Sequence, residues 1–434
     1  MKHYFLIDLF LLCMKKLWYL VCVLFCYFAC STKNSTEDYP VIDVVNSVGK
    51  YKRVYCSDYF SSIELIPLET SDDCLLVNYG HFSLFDLKMI LINEEYIFMR
   101  SRNDLYAFDH SGKFLHQIGS NGQGPREYNG LSDIFFNTDK PTIFLSDEIK
   151  ILEFDFNGTY IRSFPNPIID NEYVTFCSSL GDNLFVGHLN NSSGKFKYRY
   201  CIFNGNGDTI KLFPNYTFFD RVGFSYINYD AALQPVHVDD RIYLKDYVND
   251  TIYLLENLTM KPAFVFGLGK YSFPKEYLEQ KFNDWPDSKA FVIRHLIGAQ
   301  KYFFYVMTIP DFFPRPKRKP QFIPQINKEI NDEAQVFGIY NISDNTNVLL
   351  DTDDDLQRGI INDINGGLQF FPRYYAGDNV VVDFWSAEEM KEMLTEEYFA
   401  KQTIKDQQAH QKLKDLLKNL KEDDNPVVVV AKLK

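Results

Sequence analysis

The sequence predicts an all-β protein, a six-bladed β-propeller that is closed by a strand from its N-terminal region. Three observations predict this fold: a strand-rich internal repeat, an unassigned strand upstream of the first repeat, and many aromatic residues. The chain of 434 residues contains 29 Tyr and 39 Phe. Aromatic side chains favour the pleated, half-buried surfaces of β-strands. The composition therefore agrees with the fold that the repeat indicates.

The repeat is clearest in residues 97–114 and 143–160, which align without a gap. Each copy reads as a strand, a short polar turn, an alternating strand, an Asp-x-x-Gly turn and a further strand. Weaker copies begin near residues 183, 241, 301 and 379. A period of about 40–50 residues with several short strands is typical of a propeller blade. One blade cannot bury both of its faces, so six such units predict a ring.

The last unit lacks an outermost strand, and the segment Ile63–Leu68 lies unassigned before the first unit. We expect this segment to lie alongside Val427–Leu433, which would close the ring and hide strand edges that otherwise template aggregation. Residues 61–434 are thus predicted to form the propeller, and residues 30–60 a tether and lead-in.

Three insertions interrupt blades 4 to 6, at residues 271–290, 310–334 and 386–424, and they are predicted to be helical. The helical pattern is strongest in 386–424, where Leu413, Leu416, Leu417 and Leu420 form a stripe. That stripe is expected to pack against the ring. Pro426 ends the segment.

The N-terminus has the pattern of a targeting segment. Lys15 and Lys16 precede an apolar run of twelve residues, Leu17–Phe28, which is followed by Ala29-Cys30, and translation could start at Met14. The run is short for a membrane span but typical of a signal peptide. Residues 1–29 are therefore predicted to be a lipoprotein signal peptide, with Cys30 lipidated. An uncleaved anchor and an ordinary signal peptide are the alternatives.

The net charge of the protein indicates which classes of binding partner are expected. The formal net charge is −13, and it becomes more negative without residues 1–29, which hold three lysines and one aspartate. Phosphate binding depends on clustered Lys and Arg, so nucleic acid is not expected as a partner. Membrane attachment is expected only through the acyl chains, with the protein exported and anchored in the cell envelope, at the outer membrane.

The cysteines that follow Cys30 are widely spaced and include no CxxC motif; they are Cys56, Cys74, Cys177 and Cys201. This spacing predicts neither a disulfide framework nor a zinc site. Buried free thiols are expected, with one disulfide as the alternative.

A known family shares several of these features. The run Gly122–Tyr128, with Ile143–Asp147 and Phe154–Gly158, resembles an NHL repeat. More closely, the chain resembles the six-bladed β-propeller lipoproteins of Gram-negative bacteria, with the lipobox-like end at Cys30 among the shared features. The resemblance implies the propeller and the anchor. It leaves function open, because propellers of the NHL type include both binding platforms and enzymes.

The candidate site is the face on which the connections between the second and third strands of each blade converge with the connections between blades. The insertions are expected on this face, and loops on a rigid scaffold often carry function. Aligned polar positions there are Ser101, Asp147, His188, Asp246, Thr308 and Asp383. The candidate binding residues are Arg100, Arg102, Arg126, Asp147, His188, Asp246 and Asp383.

Each of these residues also has a purely structural interpretation, since Asp commonly caps turns, and Arg126 could pair within its own turn. The sequence contains no Gly-x-Ser-x-Gly, HExxH or GxxxxGK[ST] motif. We therefore expect no catalysis and no cofactor, but a scaffold that binds a peptide, glycan or protein partner. The alternative is a metal-assisted hydrolase or lyase at the central mouth, with calcium held by the three aspartates and His188.

Overall fold

The computed structural model describes residues 39–76, 89–191, 193–220, 235–246, 248–273, 289–310, 312–314, 321–323, 328–330, 335–351, 359–377 and 379–434. The predicted signal peptide and Cys30 lie outside the described residues. Two strands precede the first blade, β1 (Val41–Ile42) and β2 (Phe60–Pro67). A short helix, Cys56–Tyr59, lies directly before β2.

Six small sheets form the six blades of the predicted propeller, and within each blade the strands are antiparallel. From the centre outwards, blade 1 contains β3 (Ile90–Ile92), β4 (Ile97–Ser101), β5 (Asp104–Phe108) and β6 (Phe114–Gln117), and blade 2 contains β7 (Asp133–Phe136), β8 (Thr142–Ser146), β9 (Lys150–Asp155) and β10 (Tyr160–Pro165). The four main strands of blade 3 are, in the same order, β12 (Glu172–Gly181), β13 (Leu184–Leu189), β14 (Tyr198–Asn204) and β15 (Thr209–Pro214). A two-residue strand, β11 (Ile168–Ile169), pairs with the first residues of β12.

Blade 4 contains β16 (Val236–Val238), β17 (Arg241–Lys245), β18 (Thr251–Glu256) and β19 (Thr259–Phe266). Blade 5 contains β20 (Val292–Ala299), β21 (Tyr302–Thr308), β24 (Gln335–Asn341) and β25 (Thr346–Leu349). Blade 6 contains β26 (Tyr374–Tyr375), β27 (Val380–Trp385) and β28 (Val427–Leu433). A separate hairpin, β22 (Gln321–Ile323) with β23 (Lys328–Ile330), lies in the blade 5 insertion.

Strand β2 closes the ring as the outermost strand of blade 6. It runs antiparallel to β28, with Ile63 opposite Ala431, Glu64 opposite Val430 and Pro67 opposite Val427. The predicted pairing of Ile63–Leu68 with Val427–Leu433 is confirmed. Both ends of the propeller chain therefore contribute to one sheet.

The segment before β2 lies along blades 4 to 6. Strand β1 adds to the rim of blade 4 in parallel with β19, with Ile42 opposite Phe266. Further on, Lys52 bridges to Leu350 after blade 5. From Val41 onwards, the predicted lead-in is thus packed against the ring.

The core consists of apolar layers between neighbouring blades. Between blades 2 and 3, for example, the rings of Phe144 and Phe185 lie 5.1 Å apart, edge to face. Phe135 and Phe164 also contact Phe185. Burying one such side chain contributes roughly 1.5–3 kcal/mol. The abundant Phe and Tyr residues therefore stabilise the stacking of the blades.

The insertions differ in structure. Residues 386–424 contain three helices, Ala387–Met393, Glu396–Phe399 and Gln407–Asn419, so the predicted helices are present there. The described part of 310–334 includes the hairpin of β22 and β23 instead, where the helical prediction is wrong. Most of 271–290 lies outside the described residues. The leucine stripe packs as expected, since Leu413 and Leu420 join the core that Trp385 and Leu433 also enter.

The four cysteines downstream of residue 38 are free and buried, which confirms the expectation of buried thiols. Burial raises the pKa of the Cys201 thiol to about 11, so this thiol is protonated at neutral pH. None of the helices in the described part of the chain combines the length and apolarity that a membrane span requires.

Candidate functional site

The six aligned polar positions are all buried, with between 1% and 7% of each residue exposed. They lie at or near the end of the second strand of each blade, as the repeat predicts. The three aspartates among them form hydrogen bonds or ion pairs with other residues of the chain.

Asp147 holds its own turn. Its carboxylate accepts hydrogen bonds from the backbone amides of Ile149 and Lys150, both at 2.7 Å, and from that of Asn129 at 3.0 Å. Asn129 belongs to the connection that enters blade 2. Asp147 therefore joins two loops of one face, which is the turn-capping role that an aspartate commonly has.

Asp246 and Asp383 each form an ion pair with a buried arginine. Nη2 of Arg199 donates to Oδ1 of Asp246, across blades 3 and 4. Nε of Arg373 lies 3.1 Å from Oδ1 of Asp383 within blade 6. The neighbouring Lys245 donates from Nζ to two carbonyl oxygens of its own turn, and burial lowers its pKa to about 8.

The predicted basic residues divide into one buried and two exposed side chains. Arg100 is buried and donates to the carbonyl oxygens of Leu131 and Ser132, in the connection to blade 2. Arg102 is exposed, with a left-handed φ of 52°. Arg126 is exposed and lies over the ring of Tyr160, 5.4 Å from its centroid, and not against Glu127. Glu127 instead accepts from the amide of Gly124.

His188 is buried among aromatic rings. Its imidazole lies 5.4 Å from the ring of Tyr200, edge to face, and 6.3 Å from that of Phe176. The structure thus places His188 and the three aspartates in separate environments. In the part of the chain that the structure describes, no three His, Cys, Asp or Glu side chains gather into a metal-binding group.

A cavity of about 290 Å³ lies at the centre of the ring. All six blades contribute to it, through their innermost strands. Its lining residues are Ile90, Leu91, Phe135, Phe136, Thr138, Ser178, Pro235, Val236, His237, His295, Leu296, Ile297, Arg373, Tyr374, Tyr375, Ala376 and Gly377. Most of these side chains are apolar or aromatic, which is typical of a small-molecule site.

The cavity reaches the turns between first and second strands, at Thr138, Ala376 and Gly377. In antiparallel blades these turns lie on the face opposite to that of the predicted binding residues. The cavity and the predicted loop face are therefore two separate candidate sites.

One group of polar residues in the cavity lies on blades 5 and 6. Arg373 lines the cavity while Asp383 lies behind it on the next strand. Burial and, to a smaller extent, the positive charge of Arg373 lower the pKa of His295 to about 4, while the charge of Asp383 opposes the shift. His295 is consequently a neutral imidazole at pH 7.

A second polar pair in the cavity lies between blades 3 and 4. Nε2 of His237 is 2.8 Å from Oγ of Ser178, on the neighbouring blade. The imidazole of His237 also lies parallel to the ring of Tyr375, with the ring centroids 6.4 Å apart and an interplanar angle of 12°. Blades 3, 4 and 6 are thus connected at the centre of the ring.

Sequence reasoning reached Asp383 but missed its neighbours in the cavity. The innermost strands of blades 1, 4 and 6 have only two or three residues, which is too short for a visible alternation of polar and apolar residues. One pattern in the sequence could have identified some of the cavity residues. In several blades a cavity residue lies about seven positions before the first residue of the second strand, as Ile90 does before Ile97 and Phe135 does before Thr142.

Fold and cavity define a class, the six-bladed β-propellers with a central cavity. The chain belongs to the family described as Domain of unknown function (DUF4934), whose model matches residues 39–432. A "putative exported protein" from Bacteroides fragilis NCTC 9343 has the same fold. It is 17% identical, with a TM-score of 0.63 over 91% of this chain and 99% of that one.

A member of the DUF4221 family from Bacteroides vulgatus is also similar, with 9% identity and a TM-score of 0.48 over 86% of this chain and 97% of that one. No curated protein sequence matches the chain.

Proposed function

We propose that this protein is a non-catalytic binding protein of the cell envelope, and that it holds a small ligand in the central cavity of its propeller. The observation that carries the proposal is the cavity itself, to which all six blades contribute. Its apolar walls and few converging polar groups have the composition of a ligand site.

The absence of catalysis is part of this proposal. Each aspartate of the predicted face serves another group, namely backbone amides for Asp147, Arg199 for Asp246 and Arg373 for Asp383. A metal-assisted hydrolase would need several of these carboxylates at one ion. Their separation supports binding over the metal-assisted alternative.

Export and a lipid anchor at Cys30 also belong to the proposal, including attachment at the outer membrane. The signal-like segment supports export and the anchor, and the description of the similar Bacteroides fragilis protein as a "putative exported protein" supports export. Labelling cells with an alkyne fatty acid tests the anchor. The wild-type protein should be labelled and enter the membrane fraction, and Cys30→Ser should do neither. Labelling of Cys30→Ser would contradict this part of the proposal.

Ligand binding is tested with a panel of neutral, cationic and anionic aromatic fragments, followed by ligand-observed NMR on the mature protein. Ala376 lies at the edge of the cavity, so Ala376→Trp should block the fragments that bind the wild type. Ala400→Trp places the same ring on an exposed part of the 386–424 insertion and should bind them normally. A panel without binders, or equal binding by both variants, would contradict the proposal.

A second candidate function is docking of a peptide, glycan or protein on the face that carries the insertions. One observation favours it: the insertion 386–424 forms a structured layer on the connection between blades 5 and 6. Nδ1 of His410 is 2.8 Å from the carbonyl oxygen of Asn365, and Tyr398 donates to that of Gly367.

Photo-crosslinking in cells tests this second candidate. A crosslinking amino acid at the exposed Lys412, on this layer, should capture a discrete partner, and one at the exposed Lys140, on the opposite face, should not. Identical products at both positions would exclude a docking role for this face.

A further inference from the structure

The exposed apolar side chains of the protein are distributed unevenly between the two faces of the ring. We infer that one part of the ring, the loop face around blade 4, lies against the lipid bilayer, and that the central cavity reaches the face that points away from it. The inference rests on the proposed lipid anchor at Cys30, but not on ligand binding.

The loop face is formed by the connections between second and third strands and by the connections between blades. In the described residues, every exposed large apolar side chain outside the rim strands belongs to this face: Leu75, Ile149, Ile168, Tyr216, Phe218 and Phe312. The others lie on β1 or on outermost strands, namely Val41, Leu115, Ile161 and Ile210. Single exposed apolar residues are ordinary, but a one-sided set of them is typical of an interaction surface.

The exposed aromatic side chains of this set flank blade 4. Tyr216 and Phe218, in the connection that enters blade 4, are 75% and 47% exposed. Phe312, in the insertion of blade 5, is 61% exposed. Its ring lies 5.6 Å from that of Tyr271, in the connection that leaves blade 4. Tyr and Phe are among the side chains that proteins place at the interface between bilayer and water.

The N-terminal lead-in reaches the ring at the same place. Val41 lies opposite Val265 on the rim of blade 4, close to the point where β19 passes into the loop face. Further on, the hydroxyl of Tyr51 donates to the carbonyl oxygen of Pro314, in the insertion that contains Phe312. Eleven residues separate Cys30 from Val41, and such a chain spans at most about 40 Å. An anchor at Cys30 would therefore hold this side of the ring close to the bilayer.

Exposed lysines accompany these aromatic residues. The amide of Asn215, directly before Tyr216, donates to the carbonyl oxygen of Lys197. Nζ of Lys270 lies over the ring of Tyr271, 5.1 Å from its centroid. Both lysines are exposed, and ammonium groups at this depth suit the phosphates of lipid headgroups.

The opposite face is acidic. It is formed by the turns between first and second strands and between third and fourth strands. In the described turns, eight exposed Asp and Glu residues face three exposed Lys residues: Glu94, Glu95, Asp139, Asp182, Asp208, Asp239, Asp240 and Asp344 against Lys113, Lys140 and Lys301. An anionic bilayer surface repels such a face. Because the cavity reaches this face at Thr138 and Gly377, the inferred orientation leaves the cavity accessible from water.

Fluorophores on the two faces test the orientation. The variants Tyr216→Cys and Lys140→Cys are labelled with the dye NBD in the mature, lipidated protein, which is then reconstituted into vesicles of phosphatidylethanolamine and phosphatidylglycerol. The described native thiols are buried, so the dye reacts at the introduced cysteine. We expect brominated lipids to quench the dye at position 216 and not at position 140. An equal response at both positions, or quenching at position 140 alone, would overturn the inference.

A second assay does not depend on the anchor. Mature protein with Cys30→Ser is sedimented with the same vesicles. Adding Tyr216→Ser/Phe218→Ser/Phe312→Ser should weaken vesicle binding at least about threefold, because three apolar side chains no longer enter the bilayer.

The matched control removes three exposed apolar side chains from the rim instead. Leu115→Ser/Ile161→Ser/Ile210→Ser should bind the vesicles as well as the parent protein does, and circular dichroism should show that both triple variants are folded. Equal binding by the two triple variants, or no binding by the parent, would overturn the assignment of the bilayer to the loop face.

A protein partner is the competing occupant of this surface. A photo-crosslinking amino acid at Tyr216 should form adducts with lipid in cells, and capture of a discrete protein there would overturn the inference. The helical layer of residues 386–424, which contains none of the exposed large apolar side chains, is not part of the surface.

The outcome for the surface is separable from that for the proposed function. If fatty-acid labelling shows no anchor, the vesicle assay with Cys30→Ser still decides whether the loop face binds lipid. If the anchor is present but neither dye is quenched, the surface is wrong, and the proposed anchor and ligand binding stand.

Discussion

Arg373 and Asp383 form an ion pair between neighbouring strands of blade 6, with Nε of Arg373 3.1 Å from Oδ1 of Asp383 and both side chains at most 2% exposed. The pairing of Tyr374 with Val382 makes them cross-strand neighbours. Arg373 also lines the central cavity, so one contact connects the stability of blade 6 with the polarity of the candidate site.

Removing one partner of this pair should be costly. Asp383→Ala leaves the cation of Arg373 buried without its counter-charge, and we expect the free energy of unfolding in urea to fall by about 3–5 kcal/mol. The double variant Arg373→Met/Asp383→Leu should lose much less, since no charge stays buried. The exposed pair of Lys401 and Glu397 is the control, and Glu397→Ala should leave the urea midpoint unchanged. A mild effect of Asp383→Ala alone would show that the pair is not structural.

His295 should make stability depend on pH. Its pKa falls from 6.5 to about 4 in the folded protein because burial disfavours the imidazolium. The unfolded chain then binds more protons between these values, so the contribution of His295 is complete above pH 6.5 and is lost as the pH falls towards 4. The loss should reach about 3 kcal/mol. Urea titrations of the wild type and His295→Gln at several pH values measure it, and equal slopes in both would refute it.

The closure of the ring can be locked by a disulfide. Glu64 and Val430 are register partners on β2 and β28, and the thiols of Cys56, Cys74, Cys177 and Cys201 are buried. We expect Glu64→Cys/Val430→Cys to form a disulfide under mild oxidation and to melt at a higher temperature, since the bond constrains the unfolded chain. Reduction should remove the gain, and Glu64→Cys alone should show none. Failure to crosslink would indicate that the two strands are not paired.

Asp147 should matter for stability and not for ligand binding. Asp147→Ala removes the acceptor of three backbone amides, two of them at 2.7 Å, and we expect a loss of about 1–3 kcal/mol in urea unfolding. Asp147→Asn, which keeps one acceptor oxygen, should lose less. The aromatic fragments that bind the wild-type protein should bind both folded variants equally well. Loss of binding without loss of stability would return Asp147 to the candidate ligand residues.

Several features of the site were predictable because they depend on local pattern. The repeat aligned Asp147, Asp246 and Asp383 correctly at the ends of second strands, and all three are buried there. Their partners could not be predicted. Arg199 and Arg373 are far from the turn motif of the repeat, and which carboxylate each one pairs with depends on the stacking and register of the blades.

The sequence by itself determined the ring: the spacing of the strands fixed six blades, and the unassigned segment Ile63–Leu68 supplied the closing strand. It also determined the four free thiols and the helices of 386–424. Only the tertiary structure decided where a ligand could bind. A propeller cavity is formed by single residues from six innermost strands, and such residues are neighbours only after the ring has closed, so no local pattern in the chain contains them.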